Sequence, residues 1–121
     1  MNLNSVLIGT EDPKPLVEYY TKLFGEPAGT DRDFAWWQLG TGGFTVGFHD
    51  QIHGRNVQPG RVIWNIESSD VKSDFDRLVA AGARVIREPY APSEDATGAT
   101  GMLVCTFADP DDNYFQLVSP M

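Results

Sequence analysis

A chain of 121 residues with 41% hydrophobic content is long enough to bury one sizeable core and too short for two independent ones, so one domain spanning 1–121 is expected. A formal net charge of −8 and a sequence pI near 4.5 oppose long-range attraction to nucleic acid or to an anionic membrane, and the nine Lys and Arg residues are scattered rather than clustered. No apolar run approaches the roughly 20 residues of a spanning helix and no charged-then-apolar leader opens the chain, so neither partner is expected and the expected location is the cytoplasm.

Leu3 to Thr10 is an apolar run suited to a strand covered on both faces. Asp12 and Pro13 then signal a helix start, with the Asp12 side chain as capping acceptor and Pro13 at the first helical position, where its missing N–H costs nothing. Leu16, Val17, Tyr20, Leu23 and Phe24 form one apolar stripe, and Gly25 stands where a left-handed cap belongs. Two strand candidates follow, Asp33 to Leu39 and Phe44 to His49, joined by the turn Gly40-Thr41-Gly42-Gly43; with no helix after it, that glycine cluster is a hairpin turn and not a phosphate cradle. Trp36 and Trp37 are adjacent in the first of these strands and must point to opposite faces.

Asp50 to Gly60 is polar and without an apolar period, and it reads as a linker. The pattern then begins again. Arg61 to Glu67 alternates, Asp70 caps a helix with a stripe of Val71, Phe75, Leu78 and Val79, and Gly82 ends it. Arg84 to Glu88 is a short strand. The aperiodic Pro89 to Gly101 is a loop of the length that is often functional. Met102 to Phe107 and Tyr114 to Val118 flank Asp109-Pro110-Asp111-Asp112-Asn113, a tight turn in which Pro110 presets its φ and Asn113 tolerates a left-handed backbone. The single cysteine, Cys105, lies mid-strand with no basic neighbour, so it is read as a small core residue.

Asp12 to Gly25 corresponds to Asp70 to Gly82, and each half reads as strand, capped helix, glycine stop and three strands. Two copies are too few for a solenoid. The expected fold is α+β: two βαβββ modules, 1–50 and 61–121 joined by a linker at 51–60, forming a curled mixed sheet, a cup, with helices on the outside.

The closing hairpin, Asp109-Pro110-Asp111-Asp112-Asn113-Tyr114-Phe115-Gln116-Leu117, resembles that of the vicinal oxygen chelate superfamily, which includes glyoxalase I, extradiol dioxygenases, fosfomycin-resistance enzymes and bleomycin-binding proteins. The family's form is Asp-Pro-Asp-Gly-Asn, two residues, then Glu-Leu, with that Glu a metal ligand; here Asp112 replaces the Gly and Gln116 the Glu. The resemblance covers nearly the whole chain and implies the same two-module cup. Its four metal positions fall on Ser5, Gly47, Ile63 and Gln116, none of which offers an imidazole, carboxylate or thiolate. No metal and no other cofactor is therefore expected. His49 and His53 have the spacing of a helical zinc pair but follow a strand and precede Gly54, so they are read as surface histidines. Asp109, Asp111 and Asn113 match the start of a calcium loop, yet Tyr114 holds its obligatory glycine position.

In register, the concave face would present Ser5, Thr45, His49, Asn65, Glu67, Tyr114 and Gln116 on an apolar wall, the makeup of a site for a small organic molecule. The expected ligand-binding residues are Ser5, Trp37, Gly47, His49, Asn65, Glu67, Tyr114 and Gln116. The resemblance then implies a metal-independent protein of the bleomycin-resistance type, a homodimer that sequesters a flat, largely apolar ligand. The alternative is a glyoxalase-like lyase, isomerase or oxygenase that uses a displaced metal site or a general base, with His49 and Glu67 as the candidate groups.

Overall fold

Two copies of one strand-to-helix turn begin the two halves of the chain. In each, a hydroxyl at the strand end accepts the backbone N–H two residues on: Thr10 Oγ1 from Asp12 at 3.1 Å and Ser68 Oγ from Asp70 at 3.2 Å. The structure, a computed structural model, describes residues 1–92 and 101–120. The chain divides into two units, Met1–Arg55 and Asn56–Met121, with the boundary inside the segment read as a linker.

The first module runs β1 (Ser5–Thr10), α1 (Pro13–Phe24), β2 (Gly29–Asp31), β3 (Phe34–Leu39) and β4 (Gly42–Phe48), with sheet order β1-β4-β3-β2. β1 lies parallel to β4 and the other pairs are antiparallel. Leu16, Tyr20 and Leu23 are buried on one face of α1. Tyr20 packs 5.0 Å from Phe44, and Trp37 stacks on Phe44 at 4.9 Å with 9° between the rings. Gly25 ends the helix with φ of 85°, a conformation that side chains avoid.

Two expectations are corrected here, and one strand is added. The Asp12 side chain makes no capping bond; the Thr10 hydroxyl holds the turn instead. β1 starts at Ser5, and one of its faces is open, with Leu7 56% exposed. The three-residue β2 carries too little pattern to be read in advance and exists through its pairing with β3.

The second module runs β5 (Trp64–Glu67), α2 (Val71–Ala80), β6 (Arg84–Tyr90), β7 (Val104–Ala108) and β8 (Tyr114–Val118), in the order β5-β8-β7-β6. Its core is a run of rings: Phe75 on Phe107 at 5.6 Å, Phe107 on Phe115 at 5.3 Å, and Phe115 beside Trp64 at 5.2 Å. Asp70 caps α2 by accepting from Ser73 N–H at 3.1 Å. The helix closes with Gly82 N–H on Val79 O and Ala83 N–H on Leu78 O, a Schellman pair that needs the φ of 106° at Gly82. Val79, expected in the buried stripe, is 42% exposed, because Val71 and Leu78 already fill the side facing the sheet.

The turn between β7 and β8 is built on a fully buried carboxylate. Asp109 accepts from the backbone of Asp111 at 2.9 Å and of Asn113 at 3.0 Å, and from the Asn113 amide. Asp112, and not Asn113, takes the left-handed backbone, with φ of 63°, and its carboxylate meets Arg84 at 2.6 Å. Asn56 docks on the same turn through its N–H to Asp111 O and its amide to Asn113 Oδ1.

The fold is thus α+β, two βαβββ modules each with a four-stranded mixed sheet that does not close into a barrel. Most of the expected loop at 89–101 lies outside the described residues, while Pro89 and Tyr90 belong to β6. Among the described residues no helix is long and apolar enough to cross a membrane.

Candidate functional site

Each sheet has one face packed on its helix and one face turned away. In the first module, strand register places Ser5, Leu7, Thr45, Gly47, Phe34, Trp36 and Gln38 on the face away from α1. Trp36 is 40% and Phe34 39% exposed. Both rings lie on glycine: a β-carbon at Gly29 would intrude on the Trp36 ring, and one at Gly47 on the Phe34 ring. Glycine in a strand interior marks such close approach. Gly47 is therefore a seat for an aromatic ring, and the sheet presents two aromatic surfaces close to its backbone. A groove of about 140 Å³, lined in part by Ser5, Trp36, Gln38 and Thr45, opens beside Trp36.

Trp37 does not share this face. It is 3% exposed, stacks in the core and donates its Nε1–H to Gly25 O at 2.8 Å. α1 needs a large ring beneath it, and alternation then leaves Trp36 as the exposed tryptophan. His49 lies just beyond β4, with a side chain 44% exposed and Nδ1 accepting from Gln51 N–H at 3.2 Å. A turn closed by Ile52 N–H on His49 O replaces the helix that a zinc pair would need, and His53 instead approaches Glu11 at 3.5 Å.

In the second module, Asn65, Gln116, Thr106 and Arg87 are successive partners across all four strands and make one polar row on the face away from α2. The Gln116 amide donates to Thr106 Oγ1 at 3.0 Å. Glu67 is exposed at the end of β5 beside Val118, and Tyr114 is half-buried opposite Ala108. Sequence reading missed Thr106, whose alternation with Val104 and Ala108 was available, and Arg87, whose direction depends on strand irregularities that no periodicity shows. Burial pushes the Cys105 thiol above its ordinary value, and with no exposed surface it is a core residue.

Register also settles which positions correspond between modules. Leu7 pairs with Thr45 as Asn65 pairs with Gln116, so Thr45, and not Gly47, is the counterpart of Gln116. Ile63 lies ahead of β5. Neither assignment supplies an imidazole, carboxylate or thiolate, and among the described residues no group of three or more His, Cys, Asp or Glu is placed to hold a metal ion. A divalent metal needs several such donors, so the residues at these positions do not fit the metal that the resemblance implies.

A family model described as a glyoxalase-like domain matches residues 5–118. Among solved structures, the chain is similar to a glyoxalase / bleomycin resistance protein from Catenulispora acidiphila (TM-score 0.75, 16% identity, 99% of this chain and 100% of that one). It is also similar to a glyoxalase/bleomycin resistance protein/dioxygenase family enzyme from Burkholderia phytofirmans (TM-score 0.72, 18% identity, 100% of both chains). A glyoxalase-related enzyme from Fulvimarina pelagi gives a TM-score of 0.73 at 19% identity over 98% of this chain and 88% of that one. No curated protein matches the sequence.

Proposed function

The chain belongs to the glyoxalase-like domain family, within the vicinal oxygen chelate superfamily, and from that premise we propose that it is a metal-independent binding protein for a flat, largely apolar small molecule. Family membership sets the fold and leaves the reaction open. The observation that carries the reading is the pair of exposed rings, Trp36 and Phe34, seated on glycines of the neighbouring strands. Rings held in this way offer stacking area with little side-chain freedom left to lose. On the same face of that sheet, the neutral groups at Ser5 and Thr45 suit a ligand with a few hydrogen-bonding atoms, and the second module has its own neutral polar pair in Asn65 and Gln116. For the enzyme reading, no hydrogen bond or ion pair to another described residue orients Glu67, which counts against it as a general base.

Tryptophan fluorescence tests the proposal. Polycyclic or heteroaromatic compounds are expected to quench emission, with affinity weakened up to about tenfold in Trp36→Ala from stacking alone. Elemental analysis is expected to find no stoichiometric divalent metal. Near-equimolar metal that is lost in His49→Ala, together with turnover of small α-keto or thiol-adduct substrates, would replace the binder with the enzyme.

A further inference from the structure

β6 is an edge strand of the second sheet, and its register shifts twice. Regular alternation would set Arg87 and Tyr90, three residues apart, on opposite faces. The shifts, between Val85 and Arg87 and between Arg87 and Tyr90, instead pair Arg87 with Thr106 and Tyr90 with Val104, both on the face that carries Gln116. Pro89, with no N–H to give a ladder, sits within the second shift, where an edge strand tolerates it. Irregularities of this kind re-aim side chains, and they concentrate next to functional sites.

The re-aimed pair is a preorganised cation. The Arg87 guanidinium carbon lies 3.5 Å from the centre of the Tyr90 ring, so the planar group is held by its face. Its N–H donors then remain around the rim, where a planar acceptor can meet two of them side by side. Among the described residues Arg77 and Arg84 each pair with an aspartate, and Arg87 pairs with none.

We propose that Arg87, seated on Tyr90 and in line with Thr106, Gln116 and Asn65, is a binding residue for a carboxylate on the ligand. This rests on the reading of the chain as a small-molecule binder and assigns flat organic acids to the open face of the second module. The net charge of −8 opposes an anion at long range. That field is screened over about 8 Å at physiological salt, whereas paired bonds from a guanidinium act at contact. Thr106, 6% exposed, holds the Gln116 amide, and the Gln116 and Asn65 amides continue the row for the ligand's remaining oxygen atoms.

The test uses 2-naphthoate and naphthalene-2-carboxamide, which match in shape and differ in charge. Each is titrated into the full chain and followed through the backbone amide NMR signals of Arg87, Thr106 and Gln116. Naphthoate is expected to bind about tenfold more tightly than the carboxamide, a charge-assisted bond against a neutral one. Arg87→Gln is expected to abolish that preference by weakening naphthoate alone, and Arg87→Lys to keep only part of it, because an ammonium lacks the fork of parallel donors. Raised salt should narrow the preference in the wild type. Equal affinity for the two probes, or a preference that survives Arg87→Gln, overturns the proposal. So does a failure of both probes to move these signals. In that case Trp36 fluorescence separates the two readings: quenching by a neutral flat compound keeps the binder without its carboxylate contact, and no quenching by any flat compound removes both.

Discussion

Gly43 and Gly47 sit four residues apart in β4 and tolerate a side chain for different reasons and to different degrees. A β-carbon at Gly47 meets the Phe34 ring, while one at Gly43 meets the Trp37 carbonyl, which belongs to the β3–β4 ladder. A ring can turn aside and a ladder cannot. Gly43→Ala is therefore expected to cost about 2–3 kcal/mol in urea unfolding and Gly47→Ala about 1 kcal/mol, with Phe34 displaced in the second. Cys105 gives a pH prediction. Because burial raises its folded pKa, the stability tied to its neutral thiol is complete below the ordinary value of 9.0 and is lost as pH rises from there toward the folded value. Stability should fall more steeply above pH 9.0 in the wild type than in Cys105→Ala, and a thiol reagent should label the native protein only on unfolding. At this scale the sequence is half-legible. Alternation separates Trp36 from Trp37 but does not say which one α1 covers. Nothing in the periodicity of Arg84 to Tyr90 shows that Arg87 and Tyr90 share a face, because bulges cancel the very rule by which faces are read.

The helices show how a motif can be legible while its mechanism is not. Asp12 and Asp70 stand at equivalent helix starts, yet only Asp70 accepts a capping bond, from Ser73 N–H. Asp70→Ala is expected to destabilise by about 1 kcal/mol, whereas Asp12→Ala should change little in the same chemical denaturation series. Thr10→Val is the matching test in the first module, since the Thr10 hydroxyl accepts the Asp12 N–H. Both helices and the closing hairpin are readable because their patterns run over many residues or carry Pro, Gly and Asp at turn positions. β2 is not readable, being Gly29–Asp31 and held by β3 alone. The open face of β1 was also hidden, since Leu7 is as apolar as the residues buried beneath α1.

For the whole molecule, the repeat of Asp-started helix and glycine stop was enough to give two βαβββ modules, because each copy supplies the same long-range pairings. Among the described residues each sheet has two edge strands, β1 and β2 in one, β5 and β6 in the other, and Leu7, Phe34 and Trp36 are exposed. Unpaired edges and open apolar faces favour a second copy as cover, and we expect a homodimer in light scattering at micromolar concentration; a monomer there would count against it. The candidate site was legible as a set of strand positions and not as a ligand, since polar side chains on a sheet face do not name what they bind. The order of strands has a consequence for biosynthesis. β8 is made after every other strand of its sheet yet lies inside it, between β5 and β7, so β5 has no neighbour in that sheet until residues 114–118 have left the ribosome. β4 completes the first sheet by Phe48, so the earlier half of the nascent chain can close its ladder while the later half is still waiting. A stop codon just ahead of Tyr114 would thus remove an interior strand and leave β5 without a ladder partner, a far larger injury than the few residues lost.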